Sequence, residues 1–593
     1  MQVAPTGASA AGELSLQECF GSGAGCINEA GNPLNETRGV AINPAGSALY
    51  ATGEKAVSHF FVGEGKLSYD GCVSDDGSGG SCANANSAHN PLSRGAGVAV
   101  NPTRPSIYVA SPQESDVAQL FTAPAGQLVY GGCIENFEFV GSACAPSHGS
   151  NPLEGATGIA VSPNGASVYV GTPGEHALQG YVTHLFVDPE GRITYDGCVS
   201  AENLTGCAHF PGKDVLTHAH GVAVSPDGAN VYTAAEGGET VSHLAAAVPQ
   251  GQLTPGGCVG NTGSESVSEG VCEAAPGKPL SGAFGVAVSP DGSAVYVASY
   301  LAQSLSRLNV DSNGHLHWAE CISDDGSSGV CQDIPGNGTP LDEARGIAVS
   351  PDGQSVYVSG KSAVAAFAIG SGGKLAYQAC YSGNFLSGCE DLPGVPISRS
   401  QSLAISPDGG SVYVASAEPG MLARFSRVRP PSPPSEPPVL IAKTPTGSGT
   451  TIAVVNGVAA AVHTVTAAEL KASLLGQLLP SGRSSKLAQV KKHKGYAQSF
   501  KALVAGSLAI NWFFLAPGAH LSRSGGGKPK PVLFAAGQAV FGAPAMKTIT
   551  IKLTAKALKL LEHRGSIKLT ARGTFTPKGG AAVNATKAFR LTR

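Results

Sequence analysis

Arg38, Thr157, His220, Phe284, Arg345 and Gln401 stand at one recurring place in this chain, each directly before a short apolar β run. Ala96 completes the set of seven. Two arginines brought together can grip a carboxylate or phosphate through paired N–H donors. A histidine can serve as general base, and His218 lies two residues from His220. The candidates for catalysis are therefore His220, Arg38 and Arg345. The candidates for binding are these three with Thr157, His218, Phe284 and Gln401. A second role is open to the arginines, because Arg38 can pair with Glu36 and Arg345 with Glu343. No carboxylate–histidine pattern, G-x-S-x-G elbow, phosphate loop or dinucleotide fingerprint is visible beside them.

Other residues invite metal chemistry. His59, His184 and His243 recur as Ser-His-Phe, Thr-His-Leu and Ser-His-Leu. They fall in separate repeats, so packing within each repeat accounts for them better than a shared ion. Asp75-Asp76-Gly77 and Asp324-Asp325-Gly326 offer hard oxygen ligands for calcium. They lack the alternating acidic spacing of a dedicated calcium loop, and turn formation is the favoured reading. The expectation is no metal and no cofactor.

The fourteen cysteines fall into seven close pairs with none left over. Cys19 pairs with Cys26, Cys72 with Cys82, Cys133 with Cys144 and Cys198 with Cys207. Cys258 pairs with Cys272, Cys321 with Cys331 and Cys380 with Cys389. Neither CxxC nor paired-histidine spacing supports zinc. Seven local disulfides, and so an oxidising compartment, are expected.

The elements that carry these residues are repeats. The phrase GVAVSPDGANVYTAA from Gly221 returns as GVAVSPDGSAVYVAS from Gly285 and GIAVSPDGQSVYVSG from Gly346. Four further copies start at Gly39, Gly97, Gly158 and Ser402. Each is a β-hairpin, with Pro presetting the turn and Gly closing it. Two more strands follow in each unit, the fourth ending at a cysteine pair. Repeats of this length with several strands each are propeller blades. The chain opens on a fourth-strand pattern at 13–16 and leaves the ring after a third-strand pattern at 421–428. The N-terminal strand can therefore complete the last blade and leave no open edge. Between fourth and first strands run long, cysteine-stapled loops, expected to crowd the channel mouth as a recognition surface or to resist proteolysis.

The phrase VSPDG…VYVAS resembles the YVTN-type repeat of microbial surface proteins and is similar to the seven-bladed lactonase-like propellers, over residues 12–428. The resemblance implies the fold. It implies lactone or ester hydrolysis only as an alternative, because the matching residues are structural and the cysteine loops depart from the cytoplasmic lactonase pattern.

Charge divides the chain. Residues 1–430 carry −23 and residues 439–593 carry +20, with only Glu469 and Glu562 acidic in the latter. Between them, 429–438 is a proline-rich, semi-rigid linker. In the basic stretch, Thr466-Ala467-Ala468-Glu469 reads as a capping box opening a helix with Leu470, Leu474 and Leu478 on one side. Alternating runs at 507–515, 547–553 and 566–574 read as strands of a small β-sandwich-like domain with one or two helices. Lys491, Lys492 and Lys494 form its densest basic run. Anionic wall polymer or a membrane surface would suit it; export sets nucleic acid aside, and the acidic propeller is itself a candidate partner.

No run of eighteen apolar residues spans a membrane. Met1-Gln2-Val3-Ala4-Pro5 shows no signal peptide, so export is inferred from the cysteines and a trimmed start is expected. The leading expectation is an exported, all-β protein with three parts. A seven-bladed propeller over 1–428 binds a protein or glycan through its stapled loops. A linker over 429–438 joins it to a basic accessory domain over 439–593, which attaches to the envelope. An extracellular lactonase-like hydrolase is the alternative.

Overall fold

The computed structural model describes residues 11–429 apart from short segments at 24, 64, 86–89, 123–126, 137–143, 148–150, 175–178, 248–250, 337, 384, 393 and 395–396. Beyond them it describes residues 470, 474, 478, 487–492, 494–502, 506–514, 532–541, 545–561, 566–577 and 583–592. The linker from 430, and the capping box at 466–469, lie outside the described residues. The chain divides into two compact units, Met1–Leu440 and Ile441–Arg593.

The first unit is a seven-bladed β-propeller. Blade one runs Val40–Ile42, Ala48–Thr52, Ala56–Gly63 and Lys66–Ser74, each strand antiparallel to the next. Blades two to six repeat this order. Blade seven takes Ser400–Ile405, Ser411–Ser416 and Met421–Arg427 from the end of the ring and Leu14–Gly21 from its start. The seam pairs Leu14 with Arg427 and Gly21 with Met421. The innermost strands touch in sequence around the axis, and that of blade seven returns to that of blade one. The seam covers the edge that Met421–Arg427 would otherwise offer to another chain.

The repeated phrase explains the blade. In Ser225-Pro226-Asp227-Gly228, the Asp227 carboxylate accepts from Ser225 Oγ (2.5 Å) and from the Ala229 N–H (3.0 Å). Gly228 supplies the left-handed φ of +76° that closes the turn. The tyrosine of each VYV run is buried between blades. Tyr169 and Tyr232 donate to the carbonyls of Gly251 and Gly314 in the following blade, at 3.0 and 3.1 Å. Each of these blade interfaces is thus apolar packing with one satisfied hydroxyl.

All seven expected disulfides form. Cys19 is bonded to Cys26, Cys72 to Cys82, Cys133 to Cys144 and Cys198 to Cys207. Cys258 is bonded to Cys272, Cys321 to Cys331 and Cys380 to Cys389. The Cα–Cα separations are 4.5–4.7 Å, and no described cysteine is free.

The position of these bridges corrects the sequence expectation, which set the stapled loops around the channel mouth. In blades one to six the second cysteine opens or borders a short fifth strand that pairs in parallel outside the fourth. Cys82 precedes Ala83–Asn84, which pairs with Val73 and Ser74. Cys144 precedes Ala145–Pro146, and Cys207 opens Cys207–His209. Cys272 precedes Glu273–Ala275, Cys331 precedes Gln332–Asp333 and Cys389 precedes Glu390–Asp391. In blade seven Cys26 stands beside Ile27, which bridges in parallel to Phe20. Cys26, Cys82, Cys144, Cys207, Cys272, Cys331 and Cys389 therefore lie on the outer rim and not at the mouth. The reason is geometric: the first cysteine belongs to the outermost antiparallel strand, and a disulfide holds its partner within a strand's width.

The second unit is one six-stranded antiparallel sheet, which includes Gly495–Ala502, Gly506–Phe514 and Val583–Thr592. Leu470, Leu474 and Leu478 pack on its core with Trp512 and Phe575. All described strands of this unit join the single sheet, so the two-sheet sandwich expected from the alternating runs is not what they build. The helical segments Leu487–Lys492 and Ala555–Leu561 add Leu487, Val490, Ala557 and Leu561 to the same core. Among the described residues no helix is long and apolar enough to cross a membrane.

Candidate functional site

The axis of the propeller holds a cavity of about 310 Å³ built in three tiers. At its mouth stand Ala96, Thr157, His220, Phe284, Arg345 and Gln401. Below them come Gly97, Gly158, Gly221, Gly285, Gly346 and Ser402. The floor is Val98, Ile159, Val222, Val286, Ile347 and Leu403, with Val40 closing the ring. The tiers follow from the pleat, because residues two apart on a strand share a side. The middle tier is glycine because the blades nearly touch there. A Cβ on Gly158 would lie 1.9 Å from the His220 carbonyl oxygen.

One constellation at the mouth joins residues that no short motif links in the sequence. Glu236 Oε2 lies 2.9 Å from His220 Nε2, and Glu236 Oε1 accepts from the Tyr300 hydroxyl at 2.5 Å. The hydrogen bond from His220 holds the Glu236 carboxyl down at about 2, and the Tyr300 bond adds to it against burial. A carboxylate at Nε2 assigns the proton to that nitrogen and leaves Nδ1 as acceptor. Nδ1 faces Thr157 Oγ1 at 3.3 Å. Phe284 stacks on the imidazole at 4.3 Å between centroids. Arg345 lies over Phe284 and Tyr300, at 5.3 and 5.0 Å from the ring centres. Its Nε is buried without a hydrogen-bond partner among the described residues.

Glu236 and Tyr300 occupy one offset, the residue immediately after the fifteen-residue phrase of their blades. Lys361 stands at the same offset in blade six and lies 3.5 Å from both Asp342 and Glu343. Each hairpin carries the chain back to the end where it began. The residue leaving the second strand therefore returns beside the residue entering the first. That offset was the available signal.

Of the residues singled out by sequence, the structure brings Thr157, His220, Phe284, Arg345 and Gln401 to one cavity. Arg38 is not in its lining; its guanidinium is drawn back to Glu36 at 2.7 Å, which also neighbours Arg94. Arg345 is similarly near Glu343, at 3.5 Å. The acidic pairing foreseen for both arginines is present. His218 has a left-handed φ of +53° and lies against Gly237, outside the lining.

The recurring third-strand histidines are packing residues. His59 and His184 are buried and stack on Tyr50 and Tyr169, beside Asp70 and Asp196. His243 contacts Asn230 Oδ1 at 2.8 Å, and burial with nearby His315 pushes it down to about 4. The paired aspartates serve turns. Asp76 and Asp325 accept from the N–H of Ser78 and Ser327. Asp75 and Asp324 are buried and accept from the N–H of Leu92 and Leu341.

In the second unit Lys491, Lys492 and Lys494 are all exposed. The sheet adds cations from distant sequence. Lys568 pairs with Arg590 across two strands, and Arg572 faces Asn511 and Thr586. Alternation along the strand sets Lys568 and Arg572 on the side opposite buried Ala571.

No protein-family model matches this chain, and no curated protein matches it. Solved structures do. A protein from Lactobacillus plantarum is 16% identical over 63% of this chain and 87% of its own, with a TM-score of 0.42. A putative 6-phosphogluconolactonase from Bacteroides uniformis is 16% identical over 64% and 88%, at 0.40. The periplasmic gluconolactonase of Pseudomonas aeruginosa is 15% identical over 63% and 96%, at 0.39. The seven blades of this chain rest on the strand pairing above. What fold and bridges define is a disulfide-stapled seven-bladed β-propeller followed by a basic β-rich unit. Seven bridges suit an oxidising compartment.

Proposed function

We propose that the propeller is an exported hydrolase of small esters or lactones, with its site at the channel mouth. The carrying observation is the Glu236–His220 pair, 2.9 Å apart beside a cavity. With the Thr157 hydroxyl turned to the Gly171 carbonyl, its other partner at 3.4 Å, His220 Nδ1 takes a proton from water as the water oxygen bonds to the acyl carbon. The C–O bond to the leaving alcohol, or to the ring oxygen of a lactone, then breaks, and the departing oxygen receives that proton from His220. Glu236 fixes the tautomer and balances the imidazolium that forms between the two steps. Arg345, whose side chain lines the same cavity, places its positive charge near the charge developing on the carbonyl oxygen.

The test is a panel of lactones and aryl esters, run on wild type, His220→Ala and Glu236→Gln. Loss of the base should lower kcat by about 10²–10⁴. Equal turnover by wild type and His220→Ala would remove the proposal.

A second reading is ligand binding without turnover, with the basic unit anchoring the protein to an anionic envelope polymer. It is favoured by the pairing of Arg38 with Glu36 and by a +20 stretch that holds only two acids.

A further inference from the structure

The cavity changes character abruptly with depth. His220, Arg345, Gln401 and Thr157 end at the mouth tier. Below it the Ser402 hydroxyl, which accepts from the Val40 N–H at 3.2 Å, is the only polar side-chain group among the described lining residues, and the floor is a ring of aliphatic side chains. These side chains are not sealed off. Val98 and Val222 each keep 9% of their surface and Leu403 keeps 8%, while Ile159, Val286 and Ile347 are half-buried.

From this layering we infer that the substrate carries a short alkyl chain, seated in the aliphatic tier while its acyl carbon stays at His220. The inference rests on the hydrolase reading and adds the substrate class. Below the mouth a polyol would find the Ser402 hydroxyl as its one side-chain partner and otherwise only the backbone edges of the innermost strands, so its hydroxyls would exchange water for an incomplete set of partners. A methylene chain gains there, because each CH₂ leaves water for apolar contact. Nor does the mouth select an anionic headgroup, since Arg345 already has Glu343 at 3.5 Å and His220 has Glu236 at 2.9 Å. A volume near 310 Å³ is at the small end for ligand sites. The chain is therefore short, and the preference must saturate as it lengthens.

The experiment uses the full chain and p-nitrophenyl acetate, butanoate, hexanoate and octanoate. Burial of each CH₂ raises kcat/KM by up to about fourfold until the tier is filled. Butanoate should therefore exceed acetate by about tenfold. Val222→Thr with Val286→Thr, which keeps side-chain shape, should reduce the butanoate-to-acetate ratio within the same preparation. Circular dichroism checks that the variant is folded. If it is not, Ile347→Val is used instead, and it should raise the chain length at which the preference saturates.

A parallel titration of wild type with straight-chain amides, acetamide to octanamide, reads binding without turnover. Affinity that climbs with chain length supports the alkyl site even if no ester is cleaved, in which case the hydrolase reading alone falls. Turnover with a flat chain-length profile, or amide binding indifferent to length, overturns the inference. In the first of these cases the hydrolase reading remains.

Discussion

Asp75 and Asp324 should make the propeller lose stability as the solution turns alkaline, and asparagine should repair it. Both carboxyls are nearly enclosed, 8% and 9% exposed, and each accepts from one backbone N–H, that of Leu92 or Leu341. Burial pushes both up from 3.8 to about 7, with neighbouring acids adding to it. The folded chain therefore holds protons that the unfolded chain releases. Stability is full below about pH 4 and is lost as pH rises through 7. A displacement of roughly three units, at 1.36 kcal/mol each, puts the cost above pH 7 near 4 kcal/mol per residue. Blades two and four already use asparagine in this role: Asn136 and Asn261 accept from the N–H of Leu153 and Leu280 at 2.8 and 2.9 Å. Asparagine retains the acceptor and removes the charge. Its added amide donor can remain unpaired at a cost of about 1–3 kcal/mol, as Asn136 Nδ2 does among the described residues. Asp75→Asn and Asp324→Asn should each gain about 1–3 kcal/mol at pH 8. Thermal unfolding followed by circular dichroism at pH 8 and pH 4.5 checks this. Each variant should melt a few degrees above wild type at pH 8, and that advantage should vanish at pH 4.5. An equal shift at both pH values, or a loss at pH 8, would refute the reasoning.

Tyr300→Phe removes one of the two side-chain donors on Glu236. A hydrogen bond to a charged group is worth about 1.5–3 kcal/mol, so kcat/KM toward a cleaved ester should fall about tenfold, less than in His220→Ala. Peptide mapping without reductant should recover seven intra-blade bridges and no free thiol. Their loops span only 7–14 residues, and each should be worth roughly 2–3 kcal/mol to the folded chain. Replacing Lys491, Lys492 and Lys494 by Gln should release the full chain from anionic vesicles at lower salt than wild type. At physiological ionic strength charges act over only about 8 Å, so unchanged retention would move the contact to the Lys568–Arg590 region of the sheet.

The fold was legible because its information is local and repeated. Seven copies of one hairpin phrase name the blades, and the fourth-strand pattern at the N-terminus matches the strand missing from the last one. The cysteines paired by proximity in sequence, as Cys19 with Cys26 and Cys380 with Cys389, and no long-range choice was needed. The mouth residues were also readable, because a repeat places equivalent positions on one ring: Thr157, His220, Phe284, Arg345 and Gln401 meet as their shared offset implies.

What sequence left open depends on where chains return in space. Glu236 sits sixteen residues beyond His220 and Tyr300 sixty-four beyond Glu236, and no short motif joins them. They meet because a hairpin doubles back and the next blade leans against it. Arg38 shares the offset of Arg345 but leaves the cavity lining, since Glu36 holds it nearby. The stapled loops expected around the channel mouth have their bridges on the rim, because a fifth strand adds to the outer edge of blades one to six and carries Cys82, Cys144, Cys207, Cys272, Cys331 and Cys389 there, while Cys26 follows the Phe20–Ile27 bridge of blade seven. Local pattern thus determined which elements form and which positions are equivalent. Only the packed ring decided which side chains meet across blades, because the 2.5 Å contact of Tyr300 with Glu236 and the stacking of Phe284 on His220 join neighbouring blades.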